Sequence, residues 1–315
     1  MPKLALLAIG GNSLLRAGER GSIAEQRANA ALTARYLVQL IQHGYRLVLT
    51  HGNGPQVGAQ WLRSEIASAQ VSPEPLDVCV ADTEGAIGYV LERALEDALA
   101  DARLATPVAT LIAQVVVDEH DPAFRRPTKP VGPFYSADEA RRREVELGWQ
   151  MVEDAARGFR RVVPSPEPLE IVEIDAIRSL LQDGYLVITV GGGGIPVVQR
   201  NGHLVGMEAV IDKDHASALL ANQLGIDTLI ISTDTEYVYL NYRQPDQQAI
   251  PRMTVSDAQV YLDAGHFPPG SMGPKIAAAI RFLRHGGRRV IITAPDHLLD
   301  AVLGKMGTHI VADEL

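Results

Sequence analysis

The chain has 315 residues, 46% of them apolar and 21% charged, with a formal net charge of −9. That length suits one large α/β domain or two lobes sharing a sheet. The acidic balance argues against general nucleic-acid binding, because no basic surplus exists to neutralise phosphates. One cysteine, Cys79, rules out an intrachain disulfide and fits a reducing, cytoplasmic setting. No apolar stretch reaches the length of a membrane span, and the opening run to Ile9 is too short for a signal peptide.

Leu4 to Ile9 reads as a buried parallel strand, ended by Gly10-Gly11-Asn12. A helix follows with Leu32, Tyr36, Leu37, Leu40 and Ile41 on one face, stopped by Gly44. Arg46 to Thr50 is the second strand, and His51-Gly52-Asn53-Gly54-Pro55 is the turn after it. Helical patterns cover 56–70 and 81–102, and Pro107 to Val117 reads as one strand. Strand, glycine turn, helix, strand is the grammar of a mainly parallel sheet covered on both faces. Segment 118–168 breaks that rhythm with seven prolines and poor periodicity. It reads as an inserted lid subdomain.

The rhythm resumes with a strand at 169–174, a helix ending at Gly184 and the strand Tyr185–Val190, followed by Gly191-Gly192-Gly193-Gly194. Arg200-Asn201-Gly202 reads as a hairpin turn. A helix after Asp212 leads to the strand Thr228–Ser232, and Tyr237–Leu240 reads as a short strand. Helices near 255–264, 274–285 and 295–303, a strand Arg289–Thr293 and a last strand near His309–Val311 complete the order.

The chemistry concentrates where strands meet glycine turns. Glycines let backbone amides approach an oxyanion, and ligands of parallel sheets sit outside the strands' carboxyl ends. A lone G-G-N is equally an ordinary strand-ending turn. Two such turns, at Gly10-Gly11-Asn12 and Gly52-Asn53-Gly54, would open onto one crevice. Lys213 follows Asp212 at a helix start, where amides already favour anions, and Asp212 is placed to cap that helix. Lys275 opens another helix after Gly270-Ser271-Met272-Gly273-Pro274. Asp214 is placed to orient both lysines. Lys129 sits in a Pro/Gly-rich turn of the inserted segment. His51 reads as structural, since phosphorylating an oxyanion needs no base. The arginines Arg141 to Arg143 and Arg160-Arg161 read as a solvated face and a salt-bridge set. Gly191–Gly194 lacks the Gly-Lys-Ser/Thr of a P-loop, and the dinucleotide fingerprint, metal-ligand spacings and the G-x-S-x-G elbow are missing too.

These segments, from Gly10-Gly11-Asn12 through Thr50–Gly58, Ile87-Gly88-Tyr89, Lys129–Tyr135, Arg160–Pro166, Gly191–Val197 and Glu208–Asp214 to Gly270–Lys275, closely resemble the carbamate kinases of the amino-acid-kinase superfamily. The resemblance runs the length of the chain. It implies a three-layer α/β sandwich on an open, mainly parallel eight-stranded sheet with a small protruding lid, all in one domain over 1–315. The lobe of about 1–180 would take the acyl substrate, with 118–168 inserted in it. The lobe of about 181–315 would take ATP or ADP. Carried over, Gly10, Gly11, Asn12, Gly52, Asn53 and Gly54 would hold carbamate and the transferred phosphoryl group. Lys213 and Lys275 would stabilise its charge, Asp214 would hold those lysines, and Lys129 would reach carbamoyl phosphate from the lid. Thr233, Asp234, Tyr237, Met272 and Gly273 would line the nucleotide pocket with Lys275. The resemblance also implies Mg²⁺ bound through nucleotide phosphates rather than protein side chains, and a homodimer without nucleic-acid or membrane partners. Three positions depart from the pattern: Ser13 where alanine is usual, Glu84 where glutamine is common, and Val190 where cysteine is common.

The leading reading is reversible phosphoryl transfer between ATP and carbamate, used to make ATP from carbamoyl phosphate. A carbamate oxygen is already anionic, so positioning and electrostatics suffice. A relative acting on another small acid, a nucleotide or metabolite sensor, and a dinucleotide-dependent oxidoreductase are the competing readings. The presence of Lys213, Lys275 and Asp214 counts against the sensor, and the missing fingerprint counts against the oxidoreductase.

Overall fold

The computed structural model describes residues 3–11, 14–16, 18–154, 158–268 and 270–313. Strand β1 (Lys3–Ile9) is followed by α1 (Ile23–Gln42), β2 (Tyr45–His51), α2 (Gly54–Ala67) and α3 (Leu76–Asp101). Next come β3 (Val108–Leu111), β4 (Gln114–Val117), β5 (Lys129–Tyr135), α4 (Ala137–Leu147), β6 (Met151–Glu153) and β7 (Phe159–Val163). β8 (Pro168–Ile171), α5 (Ile174–Gln182), β9 (Leu186–Thr189), β10 (Ile195–Arg200), β11 (His203–Gly206) and α6 (Lys213–Leu224) lead into the second half. There lie β12 (Thr228–Ser232), β13 (Val238–Leu240), β14 (Gln248–Ile250), β15 (Arg252–Thr254), α7 (Val255–Asp263), α8 (Met272–Arg284), β16 (Arg289–Thr293), α9 (Leu298–Val302) and β17 (Thr308–Val311).

Eight strands form the main sheet in the order β15-β17-β16-β12-β1-β2-β9-β3. Neighbours run parallel except β16 and β17, which are antiparallel. The unbroken apolar run of β1 follows from burial of both faces. Leu6 and Ala8 join α6 and α8 in one core, while Ala5, Leu7 and Ile9 join α1 and α3 in the other. Side chains alternate along a strand, so both sets must be apolar.

Local signals set the helix ends. Ser22 and Glu25 form a reciprocal capping box at the start of α1. Asp212 caps α6, its carboxylate accepting from the Asp214 amide at 2.9 Å, and Gly225 ends that helix in the left-handed region.

The stretch 107–117 is two strands, not one. β3 stays in the main sheet, whereas β4 joins a second sheet of order β11-β10-β4-β8. The break falls at Ile112-Ala113, where the Ala113 amide turns to the Glu84 side chain and its carbonyl accepts from the Ile195 amide. The inserted segment holds an antiparallel sheet β5-β7-β6 and helix α4. Val131, Tyr135, Ala140, Trp149, Val162 and Val163 are buried there. Its first strand crosses α2 backbone to backbone. A Cβ on Gly58 would lie 2.0 Å from the Gly132 nitrogen, so the crossing admits no side chain. Among the described residues, no helix is long and apolar enough to cross a membrane.

Candidate active site

Strands β1, β2, β9 and β12 are parallel, so their carboxyl ends open on one edge of the sheet. The chain leaves β1 toward β2 on one side, and β12 flanks it on the other, which makes a crevice at that edge. Gly10 touches the end of β12, since a Cβ there would meet the Ser232 carbonyl oxygen at 2.7 Å. A Cβ on Gly52 would lie 3.4 Å from both the Gly11 nitrogen and the Lys213 Cδ. Gly11, Gly52 and Lys213 therefore converge. Asn12 and Ser13 lie outside the described residues. Asn53 is buried, and its amide nitrogen donates to the Thr83 hydroxyl at 3.0 Å while packing against Gly192. That donor is engaged within the fold.

Asp214 bridges the two helix-start lysines. Lys213 Nζ donates to its Oδ1 at 2.8 Å and Lys275 Nζ to its Oδ2 at 3.2 Å. The carboxylate side chain is 4% exposed, and the lysines are 11% and 14% exposed. Burial pulls Lys213 below its ordinary pKa, against the attraction of Asp214. Burial also opposes the charge on Lys275, but Asp214 and Asp212 outweigh it and raise that pKa. For Asp214, burial works against ionisation and both lysines overcome it, so its pKa falls. Two cations meet one anion here, leaving net positive charge at the edge where amides collect.

Lys129, the first residue of β5, pairs with Asp212, the cap of α6. Burial would raise Asp212, but Lys129 and His215 hold it well below the usual carboxylate range. The adjoining chain is tied down as well. The Val210 amide donates to the Pro164 carbonyl, His215 meets Glu167 at 2.8 Å, and Arg281 meets the other oxygen of Glu167. Both feet of the inserted segment thus rest on the helices carrying Lys213 and Lys275.

Arg160 and Arg161 form the expected salt bridges, with Asp154 and Glu65, but Arg141 to Arg143 are not all one solvated face. Arg142 is exposed, but Arg143 lies over the Tyr135 and Trp149 rings, and Arg161 lies 3.4 Å from the Trp61 ring centroid. Arg160 donates to the Gly132 carbonyl and to Asp154, and its guanidinium comes near Gly54. Planar, weakly hydrated guanidinium groups stack where ammonium groups would stay in water. Linear order hides those aromatic partners.

The residues expected to line a nucleotide pocket lie on the same edge, one strand along. The Thr233 amide donates to the Thr293 carbonyl, and its hydroxyl to Asp234 at 3.2 Å. The Tyr237 hydroxyl points at the Met306 sulfur at 3.2 Å. Met272 and Gly273 open α8, with Pro274 between them and Lys275.

The four glycines serve close protein packing. A Cβ on Gly191 would collide with His51, on Gly192 with Asn53, on Gly193 with Ile211 and on Gly194 with Val115. Val190 enters the loop at φ +52°, a conformation that β-branched residues seldom adopt. His51 is 1% exposed, and burial lowers its pKa to about 4, so it stays neutral. Sequence reasoning singled out Glu84 without placing it, and its carboxyl accepts from the Gly191 amide at 2.8 Å; Asp212 as the partner of Lys129 was missed. No local pattern could reveal contacts 107 and 83 residues apart.

A Gly-rich carboxyl edge with paired lysines defines a phosphoryl-transfer protein of the α/β class. The model of the amino acid kinase family matches residues 3–294, and the chain belongs to that family. Among its relatives, the carbamate kinase of Thermococcus kodakarensis is 45% identical, covering 99% of this chain and 100% of its own. A carbamate kinase-like protein, YahI, from Escherichia coli (strain K12) is 46% identical, covering 99% of each chain. The solved carbamate kinase of Giardia lamblia bound to AMP-PNP superposes with a TM-score of 0.90 at 42% identity, covering 99% of each chain.

Proposed function

We propose that the protein is a carbamate kinase, catalysing ATP + carbamate ⇌ ADP + carbamoyl phosphate and making ATP from carbamoyl phosphate in the cell. The observation that carries this reading is the Lys213–Asp214–Lys275 bridge beside Gly11 and Gly52. A transferring phosphoryl group needs fixed positive charge and amide donors along its path, and no general base. In this reading Gly10, Gly11, Asn12, Gly52, Asn53 and Gly54 frame the acyl side, in the lobe of about 1–180. Thr233, Asp234, Tyr237, Met272 and Gly273 frame the nucleotide side, in the lobe of about 181–315. Lys213 and Lys275 span the two. Lys129 and the segment 118–168 form a lid over carbamoyl phosphate.

The residues present fit Mg²⁺ that arrives with the nucleotide. Asp212 and Asp214 are each taken up by lysines, so the ion would be held mainly through the nucleotide phosphates. When bound, it neutralises charge across the phosphates. A homodimer is supported by exposed apolar side chains along α3, where Val78 and Tyr89 share a face by helical period and Ile112 packs against Gly85 of that helix. Light scattering tests it, and a monomer at micromolar concentration would refute it.

The decisive experiment is a coupled assay of ATP formation from ADP and carbamoyl phosphate, with acetyl phosphate as control. Turnover with carbamoyl phosphate at least about 10²-fold above acetyl phosphate is expected, because a site built to bind an amide rejects an analogue lacking it. Equal use of both would favour the competing reading of another small acid.

A further inference from the structure

The departure at Glu84 acquires a location. Glu84 lies on α3 and is 1% exposed. One oxygen, Oε1, accepts from the Gly191 amide at 2.8 Å and from the Ala113 amide at 3.3 Å. Among the described residues, its Oε2 is buried without a hydrogen-bond partner. Gly191 is clasped between Glu84 and His51. A Cβ there would lie 3.0 Å from the Glu84 Cγ and 2.2 Å from the His51 Nε2. The next glycine packs on Asn53 and the one after on the Ile211 carbonyl, a residue before Asp212. Glu84 thus sits behind the loop that separates β2 from the lysine helix.

We propose that Glu84 is a positioning residue that anchors the glycine loop 191–194 as an uncharged acid, and that loss of its proton weakens the binding of an anionic acyl phosphate at the edge in front. The assignment rests on the carbamate kinase reading only for the identity of that acyl phosphate.

The surroundings supply no neutralising partner. From β2 it faces His51, which is neutral. The glycine loop and the Ile112-Ala113 turn bring amides but no side-chain charge. From the start of α5, Glu173 adds a like charge. Lys213, which acts on His51, is committed to Asp214. Burial therefore raises the Glu84 carboxyl to about 8, although the Gly191 and Ala113 amides favour its anion. At neutral pH an acid there accepts the loop amide and adds no charge. Once ionised, it places a buried negative charge one residue behind the loop, where screening by water is weak.

The sign of the stability effect follows from linkage. The folded pKa is raised from 4.5 to about 8. The unfolded chain therefore loses its proton first as pH rises. The stability that Glu84 contributes falls progressively from about pH 4.5, and the loss is complete above about pH 8. Glutamine keeps an acceptor oxygen and cannot ionise.

The test compares full-length wild type with Glu84→Gln and Glu84→Ala. Thermal unfolding is followed from pH 5 to 9. The melting temperature of Glu84→Gln minus that of wild type should grow with pH by about 5 °C and level off above pH 8. An offset that is constant across pH would overturn the proposal. KM for carbamoyl phosphate is measured at pH 7 and 9. The wild-type ratio should reach about tenfold, while that of Glu84→Gln stays within about twofold and KM for ADP moves little in either. Deprotonation of Lys213 affects both proteins and cancels in this comparison. Equal ratios would sink the charge effect. Hydrogen exchange at Gly191 should be faster in Glu84→Ala than in Glu84→Gln, and equal rates would remove the anchor. If wild type does not turn over carbamoyl phosphate, the functional reading fails, while the melting and exchange arms still decide the role of Glu84.

Discussion

The eight-stranded body and the inserted segment 118–168 are held together by different forces. In the body, Leu6, Leu7, Ile9 and Leu49 are fully buried between strands and helices, and both faces of β1 contribute. Each such side chain carries about 2–5 kcal/mol against truncation. The inserted segment has a small apolar core and leans on stacked cations. Arg143 lies 4.3 Å from the Tyr135 ring and Arg161 3.4 Å from the Trp61 ring of α2, with Glu65 closing the pair at 2.7 Å. Such contacts are worth about 0.5–2 kcal/mol each. If those forces set local stability, the amides and lysines at the sheet edge should hold their geometry, and the inserted segment should be the first part to open.

The largest effect should come from the sheet edge. Lys213→Met is expected to lower kcat by about 10²–10³-fold while circular dichroism and melting stay close to wild type. A folded variant within a few-fold of wild type would take this lysine out of the mechanism. Asp214→Asn should also cut kcat well beyond any change in KM for ADP, because its role is placement of two cations. A selective loss of ADP affinity would make it a binding residue instead.

In the body's core, Leu49→Ala should destabilise the whole chain by about 3 kcal/mol in denaturant titration, with one cooperative transition. A transition confined to the inserted segment would contradict the contrast drawn above. At the joint between the regions, Lys129→Ala should raise KM for carbamoyl phosphate about tenfold and KM for ADP far less. Proteolysis within 118–168 should slow when carbamoyl phosphate is present, and ligand-independent cleavage would favour a static insertion.

The smallest effect is expected from Arg161→Lys, which keeps the charge but loses the planar stack on Trp61 and Trp149. Local opening of the inserted segment, read by hydrogen exchange, should become easier by about 1 kcal/mol, with global melting little changed. A large drop in global melting temperature would mean the two regions unfold as one unit.

Much of this contrast was legible in the chain. The alternation of apolar runs with glycine turns announced the strands near Leu4, Arg46, Tyr185, Thr228 and Arg289 because both faces of those strands are buried. Asp212 declared itself as a cap because a short carboxylate before a helix has one local use. The inserted segment was legible only as an interruption. Its strands β5 to β7 are held by contacts between distant residues and by rings under guanidinium groups, so no period appears. The single strand expected at 107–117 failed for a similar reason, since a side chain from α3 captures the Ala113 amide and redirects the chain.

Residues a few positions apart set most of the strands and helices outside the inserted segment, the glycine turns and the residue types able to handle a phosphoryl group. The reach of Asp214 across 61 residues to Lys275 was expected, but it took the tertiary structure to bring Lys129 to the cap of α6 and Glu84 behind the glycine loop. Charge pairing and desolvation act through space, and the separation of two residues along the chain does not fix their distance in the fold. A carboxyl group's state is likewise set by what surrounds it. Asp214 is ionised between two lysines and Glu84 is held toward the neutral acid, and nothing in the two side chains' chemistry foretells that difference.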